Sequence, residues 1–308
     1  LDAAWMALTQ QKLYPNGIHD EIILWLFGTE EVNNKVDNIK KYSQEFQSGG
    51  YYTFNNSNSF GMTRCTSFKH RPAQADMLHF DLWINGENIL ADAGTYSYNT
   101  DQKQLTYFNG TSSHNTVMID GKDQMEKGSR FIWLDWTKSK RLRFESSNKY
   151  TIFEGEHYGY NPLIHRRGIL NINDCWIIVD DIFGDFRNQS SDLSLSWLFG
   201  IDSVIEKSEN EWVFDAGGEK YKLKVFAPET TISNMFIGNE SPFKGWQSLY
   251  YGDKRKKPQI VLSINQSENT RFITVIAKNS SKIKVGNNSI VVDKSKIKLL
   301  ETGKRQIF

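Results

Sequence analysis

Hydrophobic and polar residues alternate with a period of two along most of this chain. The run Leu78–Ile84 is the sharpest case. Leu78, Phe80, Leu82 and Ile84 fall on one side; His79, Asp81 and Trp83 fall on the other. That is the pattern of a half-buried strand. Gly86, Glu87 and Asn88 then read as a turn, and Ile89-Leu90-Ala91 as a return strand ending at Asp92. Further short runs of Val, Ile, Phe, Tyr and Trp predict strands from Tyr51 to Leu300, separated by Gly, Asn, Asp and Ser. They include Phe60–Phe68, Asn115–Ile119, Thr151–His157, Leu163–Ile172, Cys175–Phe183, Leu193–Phe199, Lys220–Phe226, Gln259–Gln266 and Arg271–Ala277. Asn-Gly at 85–86 and 109–110 and Asp-Gly at 120–121 suit hairpin turns. Many strands with no intervening helix predict a mainly β chain, a large antiparallel β-sandwich rather than a βαβ fold.

The first 48 residues read differently. Ala3, Ala4, Trp5, Ala7 and Leu8 form a helical apolar stripe that Pro15-Asn16-Gly17 ends. A second helix is expected over His19–Phe27, with Asp20 and Glu21 in its first turn and Gly28 as its stop. Glu30–Gln47 is polar and charge-mixed, a solvated helix or a linker. The expected organisation is a short α-helical segment over 1–48 and a β domain over 49–308. A subdivision near Gly200 stays open.

Composition narrows the function classes. Lys plus Arg number 37 and Asp plus Glu 36 in 308 residues, so there is no net basic field of the kind that draws nucleic acid or a membrane surface. No apolar run approaches the ~20 residues of a membrane helix. Aromatic residues make up 13%, and β-sheet core explains most of them. The rest are candidates for stacking against sugars. Cys65 and Cys175 form no CxxC pattern, and their pairing stays open. There is no P-loop, dinucleotide fingerprint or Gly-x-Ser-x-Gly elbow. The chain starts with Leu in mid-pattern, which suggests a piece of a longer protein.

Most of the candidate chemistry lies between Arg71 and Met125. This stretch contains RPAQADMLHFDLW, then NILADAGTYSYN and HNTVMIDGKDQM. Together with RFIWLDW at 130–136, HRRGILNINDCWIIVDDIFG at 165–184 and KGWQSLYY at 244–251, it resembles the heparinase II/III-like family of polysaccharide lyases, and most of all members encoded with bacterial exopolysaccharide and capsule genes. In that family an α/α toroid precedes a large β-sandwich, with the active site in the cleft between them. The resemblance therefore implies that residues 1–48 are a remnant of the toroid and that the rest of the toroid is this chain's natural partner. It also implies an acidic polysaccharide as ligand and a bacterial periplasm or envelope as setting.

The resemblance further implies a zinc site of His, Asp and His. Asp92 and His114 occupy two of the positions, and Gln74 stands where relatives have the first His. A neutral amide is a poor zinc ligand, so His79 or His70 would have to take its place. Without zinc, Gln74, Asp92 and His114 would form a hydrogen-bonded positioning cluster. A lyase of this kind cleaves uronate chains by β-elimination, which needs a base, an acid and a group that neutralises the carboxylate. Tyr98, Tyr107 and His79 are the catalytic candidates here. Arg71, Asn115 and Arg166 are the substrate-binding ones. His165-Arg166-Arg167 reads as a charged outer strand face, since neighbouring residues point oppositely and cannot share one ligand. Lys254–Lys257 reads as a solvated loop. The main functional expectation is the sandwich half of a polysaccharide lyase, inactive by itself. A non-catalytic carbohydrate-binding or scaffolding module is the alternative; a hydrolase lacks an isolated carboxylate pair to support it.

Overall fold

The computed structural model describes residues 1–33, 35–37, 41–286 and 288–308. The chain divides into two units, at 1–42 and 43–308. The smaller unit contains the helices Asp2–Thr9 and Asp20–Phe27, then a 3-10 turn at Glu31–Asn33. Its centre is the buried Lys12, whose ammonium meets Asp20 at 2.5 Å and donates to Asn16 Oδ1 at 2.8 Å and Val32 O at 3.2 Å. Only Met6 and Ile23 are buried apolar residues on the two helices, while Ile22, Trp25 and Leu26 are exposed. A helix this apolar on its outer face ordinarily packs against more protein. The stretch expected as a solvated helix or linker instead holds the 3-10 turn, a bridge from Lys12 to Val36 and the strand Gln44–Phe46; residues 34 and 38–40 lie outside the described residues. Gln44–Phe46 pairs with Tyr51–Asn55, so the β unit starts earlier than the expected residue 49.

The larger unit is an antiparallel sandwich, as the alternation predicted. Its central sheet has eight strands, with Thr270–Lys278, Cys175–Gly184 and Leu163–Ile172 side by side in its interior. One face packs against a layer made of two sheets. One of these contains Ser59–Arg64 and Phe80–Ile84; the other contains Ser191–Leu198 and Pro258–Gln266. A bridge between Leu90 and Phe199 joins them. The other face is covered by the three-stranded sheet of Ile283–Gly286, Ser289–Val292 and Ser295–Lys298, together with Leu299 and Ile307. Both faces of the middle strands are therefore buried. Trp176, Ile178 and Ile182 enter one core, and Cys175, Ile177 and Val179 the other. This is why the sequence there reads as a continuous apolar run rather than an alternating one. Cys65 and Cys175 lie in different cores and are free, and burial pushes both thiols up to about 12.

Two departures from the sequence reading bear on function. A helix runs from Gln102 to Asn109, in a stretch read as helix-free, and Gly110 is its C-cap rather than part of a hairpin turn. Asp101 caps its start by accepting from Gln104 N at 2.9 Å, and it buries Leu105, Tyr107 and Phe108. The segment Lys254–Lys257 is not a free loop. Asp253–Lys256 pairs with Trp246–Tyr250, and the buried Lys257 donates to Gly200 O and to Asp202. No helix among the described residues is long and apolar enough to cross a membrane.

Candidate functional site

Three successive segments of the chain converge on one cluster. The strand Phe80–Ile84 is preceded by His79, the strand Glu87–Leu90 runs out to Asp92, and a 3-10 turn at Thr111–Ser113 delivers His114. His114 Nδ1 lies 3.0 Å from Asp92 Oδ2, and His79 Nε2 lies 3.8 Å from the same oxygen. The imidazoles meet edge to face at 5.4 Å. His114 is wholly buried and His79 nearly so, while the Asp92 side chain keeps 37% of its surface open. Leu78, just before His79, has φ 60 although fully buried. A left-handed backbone at a bulky residue is costly and marks a position held by its surroundings.

The Asp92 turn is held from several sides. Gly94 N–H donates to Asp92 Oδ1 at 2.7 Å, Gln247 Nε2 to Asp92 O at 3.2 Å, and Ser248 N–H to Ala93 O at 2.7 Å. Gln74 belongs to this outer layer. Its amide donates to Gly94 O at 3.2 Å and Phe108 O at 3.1 Å. Through these two bonds its Nε2 ties the Asp92 loop to the 102–109 helix.

The donor chemistry tests whether zinc fits here. His79, Asp92 and His114 each bring a ligand atom within 4.8 Å of the others. However, Asn115 N–H donates to His79 Nδ1 at 3.0 Å. That nitrogen must offer its lone pair, so the proton of the neutral ring sits on Nε2, facing Asp92. In this tautomer His79 cannot ligate through Nε2. Two strong donors remain where zinc takes three or four. The residues as bonded here do not fit zinc, and the cluster is read as a proton-bearing hydrogen-bond network.

Burial and charge set its titration. Burial disfavours a charge on His79 and pushes it down to about 3, against the pull of Asp92. Burial also opposes a charge on His114, but the Asp92 charge and hydrogen bond outweigh it and raise this imidazole. For Asp92 burial acts upward, yet His114, His79 and the Gly94 N–H hold the carboxyl well below its usual range. The exposed third of Asp92 lets solvent screen the pair. Asp81, on the same strand face as His79, is pushed up to about 6 by burial and by the Asp92 charge.

These shifts make stability depend on pH. His114 is raised in the fold, so its contribution is full below its unfolded value of about 6.5 and is lost as pH rises through the raised one. His79 is depressed, so its contribution is present above about 6.5 and is lost as pH falls toward 3. Asp92 adds a further loss below about 3.9. In a ring-carbon NMR titration, His114 should change charge above pH 6.5 and His79 should stay neutral until the pH approaches 3. Two imidazoles titrating together near 6.5 would show that the cluster is not assembled as described.

A second, wholly buried network stands behind the first. The chain reading of His165-Arg166-Arg167 as an outer charged face is corrected, because all three are buried. They do point oppositely. Arg167 forks onto Asp180 at 2.7 and 3.0 Å, and its other nitrogen donates to the carbonyls of Leu78 and Asn115. Those carbonyls adjoin His79 and His114 in the chain. Gly159 N–H donates to His157 Nδ1, so His157 Nε2–H donates to His165 Nδ1 at 3.1 Å, and His165 Nε2–H to Asp180 at 2.7 Å. Arg166, expected to bind substrate, is locked to Glu156 and the Lys304 carbonyl.

The remaining candidates separate. Asn115, also expected to bind substrate, is fully buried. Its amide donates to Phe80 O and Ala91 O and accepts from Leu198 N–H, so every polar atom serves the backbone. Tyr107, expected as catalytic, is buried with its hydroxyl between Trp246 O and Gln259 Oε1, each at 3.1 Å. It packs the core between the 102–109 helix and the sheet. Tyr98 and Arg71 are exposed. The reading from sequence missed Asp180 and Gln247. Nothing local marks Gln247, whereas the apolar-to-acidic switch in IIVDD was a visible signal.

The sequence profile described as Heparinase II/III-like, C-terminal, matches residues 38–285. A heparin-sulfate lyase of Bacteroides stercoris is 27% identical over 255 residues, covering 78% of this chain and 35% of that protein. The heparin-sulfate lyase of Pedobacter heparinus is 25% identical, covering 76% and 34%. Among solved structures, a heparan sulfate lyase from Pedobacter heparinus matches with a TM-score of 0.72 at 19% identity, over 97% of this chain and 47% of that one. A heparinase III gene product gives 0.72 at 20%, over 96% and 46%. The chain thus spans about a third of the curated relatives it matches and just under half of these solved chains.

Proposed function

The chain belongs to the heparinase II/III-like family, as its C-terminal part, and from that premise we propose that it is the sandwich half of a polysaccharide lyase. Its substrate is an acidic, uronate-bearing polymer of the bacterial envelope or its surroundings. The reaction is β-elimination. A base takes the C5 proton, a C4=C5 double bond forms, the C4–O4 bond breaks, and an acid returns a proton to O4. The observation that carries this reading is the convergence of His79, Asp92 and His114, with Asp92 still partly open. The sandwich supplies one wall of a cleft: Asp92 at its surface, His114 behind it with its imidazole raised by the Asp92 charge, and Asp81 beside them, pushed up to about 6. Arg71 is the exposed cation for a substrate carboxylate.

The opposite wall comes from helices beyond residues 1–33. The exposed Ile22, Trp25 and Leu26 support this, because they form the kind of face that packs against further helices. The share of the relatives that this chain leaves uncovered agrees. A carbohydrate-binding or scaffolding module is the second reading. It is favoured by the burial of Tyr107 and Asn115 in packing roles.

Ultraviolet absorbance separates the two, since elimination leaves an unsaturated uronate and binding does not. A version with the upstream helices, given heparan sulfate or another uronate polymer, should generate the absorbing product, and residues 1–308 alone should not. Binding without absorbance by the longer version would replace the lyase by the module. Turnover by residues 1–308 alone would remove the need for a second wall.

A further inference from the structure

The loop that starts at Asp92 leads into an exposed cluster of aromatic rings. Tyr98 is six residues beyond Asp92. Its ring lies 5.8 Å from Phe131 at 67° and 5.6 Å from Tyr251 at 49°. All three stay open to solvent: 55% for Tyr98, 47% for Phe131 and 66% for Tyr251. The rings come from separate segments that are nonetheless tied together. Gly252 N–H donates to Tyr96 O at 2.8 Å, and Ser97 Oγ meets Tyr251 Oη at 3.2 Å. Arg71 places its guanidinium 5.9 Å from the Phe131 ring centre. Arg71 has no carboxylate partner among the described residues, unlike Arg64, Arg166, Arg167 and Arg271.

The neighbouring rings make a contrast. Tyr96, Phe243 and Trp246 are covered by the Lys254 ammonium at 5.6, 4.8 and 4.4 Å. No cation of this chain sits over Tyr98 or Tyr251 among the described residues. Contiguous apolar rings left in water are a cost that soluble proteins keep where something binds. A pyranose presents a face of C–H groups that suits the electron-rich face of such rings. A guanidinium with an unused fork suits a carboxylate or sulfate.

We propose that Tyr98, Phe131 and Tyr251 form a stacking platform for a sugar ring of an acidic glycan, with Arg71 engaging its anionic group. The platform is a binding subsite on the loop that continues from Asp92, and Tyr98 acts there by its ring face. This rests on the reading of the ligand as an acidic polysaccharide and locates where on the sandwich it is held.

The test uses residues 1–308 and a size-defined heparan sulfate hexasaccharide, with the same oligosaccharide carboxyl-reduced, desulfated and N-acetylated as a neutral probe. Binding is followed by calorimetry. Tyr98→Ala combined with Tyr251→Ala should weaken both probes by about tenfold or more, because stacking ignores charge. Arg71→Ala should weaken the acidic probe about tenfold and leave the neutral one unchanged. Tyr251→Phe keeps the ring and should bind like the parent, which separates stacking from loss of the Ser97 contact. Unchanged thermal midpoints show that the variants remain folded. If the parent binds and the alanine variants bind equally well, the platform is overturned and the lyase reading stands. If the parent fails to bind while the longer version eliminates uronate, the platform is likewise overturned. If neither binding nor elimination occurs, both readings fall.

Discussion

Arg167→Ala should cost ~3–5 kcal/mol of stability, as expected when one partner of a buried ion pair is removed. Asp180 would be left charged and enclosed, with only His165 to compensate. The carbonyls of Leu78 and Asn115 would also lose a donor in a place water does not reach. The damage should extend to the candidate site, because these carbonyls adjoin His79 and His114. Denaturant unfolding reads the first effect, and the ring signals of His79 and His114 read the second. Arg167→Lys keeps the charge but not the fork, and should recover only part of the loss. A stability change under 1 kcal/mol with unshifted imidazole signals would mean that the network holds nothing in place.

Gly94→Ala should have the next largest effect. The residue has φ +79, and a Cβ there would lie 2.0 Å from Ser248 O, a backbone atom that cannot rotate away. A left-handed alanine costs ~1–2 kcal/mol, and the forced displacement adds ~1–3 kcal/mol. Relief requires the Asp92–Gly94 turn to separate from Ser248. That breaks the bond from Ser248 N–H to Ala93 O and swings Asp92 off His114. Loss of stability should therefore come with a fall in the His114 titration toward its free value. Normal stability with an unmoved His114 titration would show that the turn tolerates the methyl group and does not govern Asp92.

The sandwich was legible because sheet burial writes itself as alternation or as an unbroken apolar run. Leu163–Ile172 was bounded correctly from sequence for that reason. The 102–109 helix was hidden by its polar composition, though Asp101 as cap and the pair Leu105 and Phe108 were readable. At the site, the meeting of Asp92 with His114 was legible through the resemblance, and its geometry agrees. The role of Gln74 was not, because an amide that holds a loop and one that replaces a ligand look alike in sequence. His165 to Arg167 misled for a different reason. A polar triplet on a strand ordinarily faces water, and here Asp180 and Glu156 satisfy it inside. Those partners lie on neighbouring strands, and pairing register cannot be read from one strand alone.

The two-sided central sheet limits how this architecture diversifies. On its middle strands an apolar residue answers to one core or the other, and those strands offer almost no free surface. Drift in such positions is confined to swaps that preserve volume, which suits a shape still recognisable at 19–20% identity. Change is easier at the rim, in the loops after Leu90 and around Phe131 and Tyr251, where side chains are exposed and the frame need not be rebuilt.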